Sequence, residues 1–206
     1  MQYNELQQKL RDFGVFTLND IRKVDASFYR ARLNDWQAKG YIKKLRRGYY
    51  MFAERIENEQ HLAMIANRLY EPSYISFEMA LSHFGLIPEG VYGITSATTK
   101  KTSVWKTPVG EFVYRKIKPS LMVGYTLEKF RNHTIKIAEM EKALLDYLYL
   151  NPALATEDDF AGMRFAGNEF LSRADMPKFR EYLALYNNKS LSMRANLFLD
   201  FIKKNP

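Results

Sequence analysis

Hydrophobic residues recur three and four apart toward the two ends of the chain and in shorter, denser runs through its middle. Leu6 and Leu10 share one side of a helix predicted over residues 3–12, which Phe13-Gly14 ends. Thr17 and Asp20 stand three apart, the spacing that ties off the free N–H groups of a helix start, so a short helix is expected over 18–23. Asp25 or Ser27 can cap a third helix running to Lys39, and Gly40 supplies its stop. At about 100° per residue, Ala26, Tyr29, Leu33 and Trp36 fall on the side of that helix predicted to pack inward. Ser27, Ala31, Asn34 and Ala38 fall opposite, with Arg30 at one edge and Phe28 at the other. Residues 41–45 and 49–52 are rich in strand-formers, and Arg46-Arg47-Gly48 between them reads as a hairpin turn.

Further along, residues 54–70 read as a linking helix with Leu62, Ile65 and Leu69 on one side, broken by Pro72. Ser76 is placed to cap a helix over 77–84 that stops at Gly85. Strands are expected over 91–98, 111–118, 121–125 and 134–138, with 99–102 and 107–110 as loop or hairpin. Residues 139–150 form a helix pattern ended by Asn151-Pro152. A short helix begins at Thr156, and amphipathic helices are expected over 175–186 and 191–203. The fold class is therefore α+β. Helix, helix, helix and hairpin in 1–53 is the layout of a winged helix-turn-helix, whose third helix enters the major groove while the hairpin lies along the backbone. Residues 54–72 link it to a C-terminal domain over 73–206, with a small sheet covered by helices. Some 130 residues are enough to hold a core without the first 53.

Charge sharpens this division. Residues 1–53 hold eleven Lys and Arg against five Asp and Glu, a surplus of six in a chain whose formal net charge is +8. A basic small module beside a near-neutral larger one points to a polyanion partner, double-stranded DNA above all; a solubilising surface is the plainer alternative. Small and hydrogen-bonding residues on one helix face let it approach base edges, and Asn and Arg pair well with adenine and guanine; a solvated helix face looks the same. The hairpin cations Lys43, Lys44, Arg46 and Arg47 favour DNA, because four like charges on one hairpin repel each other without an anion between them.

Little points to catalysis. The chain has no cysteine, which removes thiol nucleophiles and thiolate metal sites. It carries no phosphate-binding glycine loop and no hydrolase or metalloprotease motif. His61, His83 and His133 lack ligand spacing. Ser103-Val104-Trp105-Lys106 matches a serine–lysine pattern but sits in an expected loop without partner motifs. No enzyme activity, metal or cofactor is expected. On the helix over 139–150, Glu141 shares the apolar face while Lys142 and Asp146 lie opposite. A carboxylate so placed needs a cation or several hydrogen bonds, and a structural ion pair tying helix to sheet is the favoured reading over partner recognition or catalysis. A polar opening segment without an apolar core, and no run near the ~20 residues of a membrane span, point to a cytoplasmic protein with no membrane partner.

Four segments carry a resemblance: GYIKKLRRGYYMF, YISFEMALSHFGLIPEG, ITSATTKK and IKIAEMEKALLDYLYLNP. Together they resemble the AbiEi-type antitoxins of bacterial type IV toxin–antitoxin systems, over roughly residues 8–155. The most specific parts are S-x-E-x-A-L-x-x-x-G-L from Ser76 to Leu86 and A-x-x-E-K-A-L-L-D from Ala138 to Asp146. The resemblance implies a winged helix that binds inverted repeats in its own promoter and represses the operon. It implies a C-terminal domain that opposes a nucleotidyltransferase-type toxin without a stable complex. Carried over by position, the DNA-reading residues are Ser27, Arg30, Arg32 and Asn34 on the helix and Lys43, Lys44, Arg46 and Arg47 on the wing. A transcription factor whose second domain senses a ligand is the other reading, distinguished by the neighbouring gene.

Overall fold

A computed structural model describes residues 1–88 and 93–205. The first part runs α1 (Tyr3–Leu10), β1 (Phe16–Thr17), α2 (Leu18–Val24), α3 (Arg32–Ala38), β2 (Ile42–Arg46) and β3 (Tyr49–Phe52). Its three strands form an antiparallel sheet in the order β1-β3-β2. The box at Thr17 forms as expected: the Thr17 hydroxyl accepts from the Asp20 N–H at 3.3 Å, and Asp20 accepts from the Thr17 N–H at 2.8 Å. The turn after β2 is Arg47-Gly48, with Gly48 at φ +84°, so Arg46 closes the strand instead of opening the turn.

The larger part is built on α4 (Glu59–Leu69) and a six-stranded mixed sheet. Its strands are β4 (Ser73–Ile75), β5 (Ile94–Thr98), β6 (Ser103–Thr107), β7 (Gly110–Lys116), β8 (Tyr125–Phe130) and β9 (His133–Ala138), in the order β6-β7-β5-β4-β9-β8. Residues 91 and 92 of the strand expected over 91–98 lie outside the described residues. The helices α5 (Phe77–His83), α6 (Met140–Leu150), α7 (Glu157–Gly162), α8 (Gly167–Arg173), α9 (Met176–Leu185) and α10 (Lys189–Lys204) complete the chain. The overall class is thus α+β. The segment 103–106, read as loop, is the edge strand β6, paired with β7 from Ser103↔Tyr114 to Thr107↔Gly110. The strand expected over 121–125 instead begins at Tyr125, because Pro119–Leu121 winds into a single 3₁₀ turn.

The helix expected as a linker is central. Of its eleven residues, His61, Ala63, Met64, Ile65, Ala66, Asn67 and Leu69 are buried, so several sides are covered and not one stripe. The Tyr114 hydroxyl of β7 donates to the Ala66 carbonyl at 2.7 Å, and the Asn67 side chain accepts from the Lys136 N–H of β9. α6 departs from its helical wheel in the same way. Lys142 and Asp146, placed opposite the apolar face, are fully buried and paired with each other. Glu141 makes no ion pair among the described residues; it accepts the Asp175 N–H at 2.7 Å and so ties α6 to the start of α9, not to the sheet. Ser76 does not cap α5, because its hydroxyl is committed to Asp146 at 2.8 Å.

Two hydrophobic cores meet at the small sheet. Leu6, Leu10, Phe16, Ile21, Phe28, Leu33, Trp36, Ile42, Tyr50 and Phe52 form the smaller one. Val15, Leu45 and Met51, also from the first 53 residues, belong to the larger. Strand residues alternate sides, and here the alternation sorts them between cores: Tyr50 and Phe52 face one, Tyr49 and Met51 the other. By the same alternation Leu45, three residues after Ile42, reaches the larger core from β2, and a register shift between Lys44 and Arg46 sets Arg46 opposite Tyr49. Gly14, at φ +60°, passes so close to α4 that a Cβ there would lie 2.6 Å from the Met64 methyl. The Asp20–Arg68 ion pair (3.6 Å) adds a polar tie between the parts, and Arg131 pairs with Glu54 and Glu57 on the segment that joins them.

Candidate nucleic-acid interface

The recognition segment forms differently from its sequence pattern. Residues 26–27 and 30–31 are turns with irregular backbone between them, and regular helix begins only at Arg32. Asp25 accepts the Ser27 N–H at 3.1 Å and the Ser27 hydroxyl at 2.6 Å, and lies 3.2 Å from the N-terminal ammonium. A side chain so engaged closes a local turn instead of starting a helix. The same contacts, the Ser27 hydroxyl first, hold the Asp25 carboxyl below its ordinary pKa. The turn swings Phe28 inward, where it is buried and packs against Trp36 at 5.4 Å, and turns Tyr29 out to 73% exposure. Sequence periodicity had these two the other way round, because it extended the helix through a segment that is not helical. Leu33 and Trp36 are buried as expected.

Ser27 and Arg30 therefore sit on the turn preceding α3, and both are exposed. Asn34 lies on α3 and is exposed. Arg32 is exposed but about 200° round the helix from Asn34, and its guanidinium donates to the Met1 carbonyl. The exposed residues between 27 and 38 are thus Ser27, Tyr29, Arg30, Arg32, Asn34, Asp35 and Ala38. Tyr29 is the residue that sequence reasoning missed on this surface.

On the hairpin, Lys44 and Arg47 are exposed, and Lys43 is half-buried with its ammonium 3.5 Å from the Glu54 carbonyl. Among the described residues, Arg30, Lys43, Lys44 and Arg47 take part in no ion pair. Arg46 has a different setting. Its guanidinium carbon lies 3.9 Å from the centre of the Tyr49 ring, 4.3 Å from that of Trp105 in β6, and 5.7 Å from that of Tyr70 after α4. Its Nε is buried, with no hydrogen-bond partner among the described residues.

No group of three or more His, Asp or Glu among the described residues is placed to hold a metal ion. A cleft of about 350 Å³ is lined by the apolar Ala63, Ile75, Met79 and Ile137 and by the polar Asn58, Glu59, Gln60 and His83, the last 3.6 Å from Glu128. It contains no nucleophile paired with a base. No helix among the described residues is long and apolar enough to cross a membrane. Comparison with protein-family models and with curated proteins gave no match.

Proposed function

We propose that the chain is a DNA-binding autoregulator of the AbiEi antitoxin type, with residues 1–53 as a winged helix-turn-helix. The order helix, strand, helix, helix, hairpin with strands arranged β1-β3-β2 supports that reading of the first part. The observation that carries the function is the unpaired basic surface. Arg30 and Asn34 stand exposed at α3, and the hairpin that follows α3 ends in Lys44 and Arg47, none of the three cations having a carboxylate partner among the described residues. In this reading Arg30 and Asn34 read base edges while Lys43, Lys44 and Arg47 hold phosphates. The protein represses its own operon by occupying its promoter. The C-terminal part opposes a nucleotidyltransferase toxin without a stable complex; this half rests on the sequence resemblance over 8–155. Its two most specific motifs meet through the Ser76–Asp146 hydrogen bond, deep in the core, where they serve packing and not surface chemistry.

Anisotropy titration of the full chain against a duplex from its own upstream region tests the DNA reading. Affinity falls with salt, and Lys44→Ala or Arg47→Ala each flattens the log–log slope by about 0.9. Asn34→Ala instead costs about 1–3 kcal/mol on the specific duplex and leaves non-specific binding unchanged. Salt-independent binding, or no preference for the upstream duplex, removes the proposal. Growth rescue against the adjoining toxin, expressed from an independent promoter, tests the antitoxin half.

A further inference from the structure

We infer that Arg46 is a positioning residue, clamped by aromatic rings of the larger part so that the hairpin is held ready for DNA. The inference rests on the DNA-binding reading above and reassigns one of its expected phosphate contacts. A guanidinium that holds a phosphate has its N–H groups turned to solvent. That of Arg46 lies over Tyr49 on its own hairpin and over Trp105 on β6, with Tyr70 beyond, and its Nε is buried. Flat stacking on aromatic faces is what a guanidinium does well and an ammonium does poorly.

The rings form a rigid box. Tyr70 stands edge-on to Trp105 at 4.7 Å and to Tyr114 at 5.2 Å, and Trp105 lies 4.9 Å from Tyr114. Tyr114 is fixed in turn by its hydrogen bond to the Ala66 carbonyl of α4. The Tyr70 hydroxyl donates to the Lys101 carbonyl at 3.1 Å. So the box is anchored to α4, β6, β7 and the loop after β5, all of them outside the first 53 residues. Just beside Arg46, Leu45 enters the larger core. The end of β2 is thereby gripped twice, by an apolar side chain and by a cation. The two residues beyond it, Arg47-Gly48, form the tip.

A tip held in place loses little freedom when it meets a phosphate backbone, whereas a loose one must be ordered on binding. Trp105 thus controls DNA affinity without lying on the DNA surface.

Two measurements on the full chain test this. In the first, hydrogen exchange without DNA, Trp105→Ala speeds exchange of the amides in residues 42–52 while α6 and α9 stay protected. Unchanged exchange there overturns the clamp. In the second, anisotropy titration across a salt series, Trp105→Ala weakens upstream-duplex binding about tenfold with the salt slope unchanged, and Trp105→Phe restores most of it. Arg46→Ala gives the same loss and the same unchanged slope, and the double variant is no worse than either single. Wild-type affinity for Trp105→Ala, additive losses in the double variant, or an Arg46→Ala slope flattened by about 0.9 overturns the inference and returns Arg46 to the phosphates. If the wild-type chain binds no DNA, the underlying reading fails instead, and the exchange measurement still decides the clamp.

Discussion

At the scale of single residues, Asp146 holds more of the larger core together than any helical wheel of α6 suggests. Its carboxylate accepts from the hydroxyls of Tyr74 (2.7 Å), Ser76 (2.8 Å) and Tyr186 (2.7 Å), and from the Lys142 ammonium. Burial pushes the Lys142 pKa down, opposed by the Asp146 charge beside it, and pushes the Tyr74 and Tyr186 hydroxyls up. The two charges are not equivalent. Removing Lys142 leaves a carboxylate with three hydroxyl donors; removing Asp146 leaves a buried ammonium whose one remaining acceptor among the described residues is the neutral Tyr74 hydroxyl, and takes the acceptor from Ser76 and Tyr186. In urea unfolding, Asp146→Ala should therefore cost about 3–5 kcal/mol, and Lys142→Met clearly less. Equal losses would show that the carboxylate is not the hub. His61 gives a second residue-scale test. It is fully buried on α4 beside the Phe130 ring, with neither ring nitrogen hydrogen-bonded among the described residues and the Glu54 carboxylate 3.7 Å away. Burial lowers its pKa; Glu54 and Glu57 pull the other way, and Arg131 and His133 reinforce it. His133 is lowered too, by burial first. As pH falls through the ordinary histidine range the unfolded chain takes up protons that the folded chain refuses. Stability is therefore full near neutrality and declines below about pH 6.5, by at most about 1.4 kcal/mol per pH unit for each histidine. Thermal unfolding between pH 5 and 7.5 should show this slope, and His61→Phe should reduce it. An unchanged slope would mean that His61 takes up its proton in the folded chain as readily as in the unfolded one.

At the scale of elements, what was legible in the sequence depended on how many sides of each element are covered. Helices with one buried stripe and a clear cap were readable: α1, α2 from its Thr17 box, α7 from Thr156 and α9 from Asp175. Elements enclosed on several sides were misread as simpler than they are. α4 looked like a linker and α6 like a helix with a polar back, because a buried Asn67, Lys142 or Asp146 is indistinguishable in sequence from a solvated one until its partners are known. α3 was overextended because Asp25 has two uses, cap or turn, and only packing of Phe28 decides between them. The hairpin did carry a signal. Tyr49-Tyr50-Met51-Phe52 shows no alternation of polar and apolar residues, which is how a strand covered on both faces reads. Of the expected contact residues, Arg30, Asn34, Lys44 and Arg47 are exposed as a DNA surface needs, while Arg32 and Arg46 are engaged within the protein in ways no spacing rule reveals.

At the scale of the whole molecule, the charge division along the sequence does not coincide with a division of packing. The surplus of positive charge ends near Phe52, yet Val15, Leu45 and Met51 are built into the larger core and Gly14 rests against Met64. The fragment 54–206 holds enough residues for a core, but it begins life with Met64, Tyr70 and Trp105 stripped of their cover. Each large apolar side chain that loses its cover costs about 1.5–3 kcal/mol. The fragment should therefore unfold at a markedly lower urea midpoint than the full chain, or show weak near-ultraviolet dichroism. A cooperative transition at the full-chain midpoint would mean that the interface contributes little.

The parity of β3 has a consequence for how the gene can change. Because odd residues serve one core and even residues the other, reading along Tyr49–Phe52 is like reading two interleaved messages. A substitution garbles one letter of one message. A one-residue insertion within β3, between Tyr49 and Tyr50, exchanges the messages beyond it, turning Tyr50 and Phe52 toward the larger core and Met51 toward the aromatic cluster around Phe16 and Trp36. The hairpin tip can take up a change of length as a longer turn; the strand beyond it cannot, because both halves depend on its register at once.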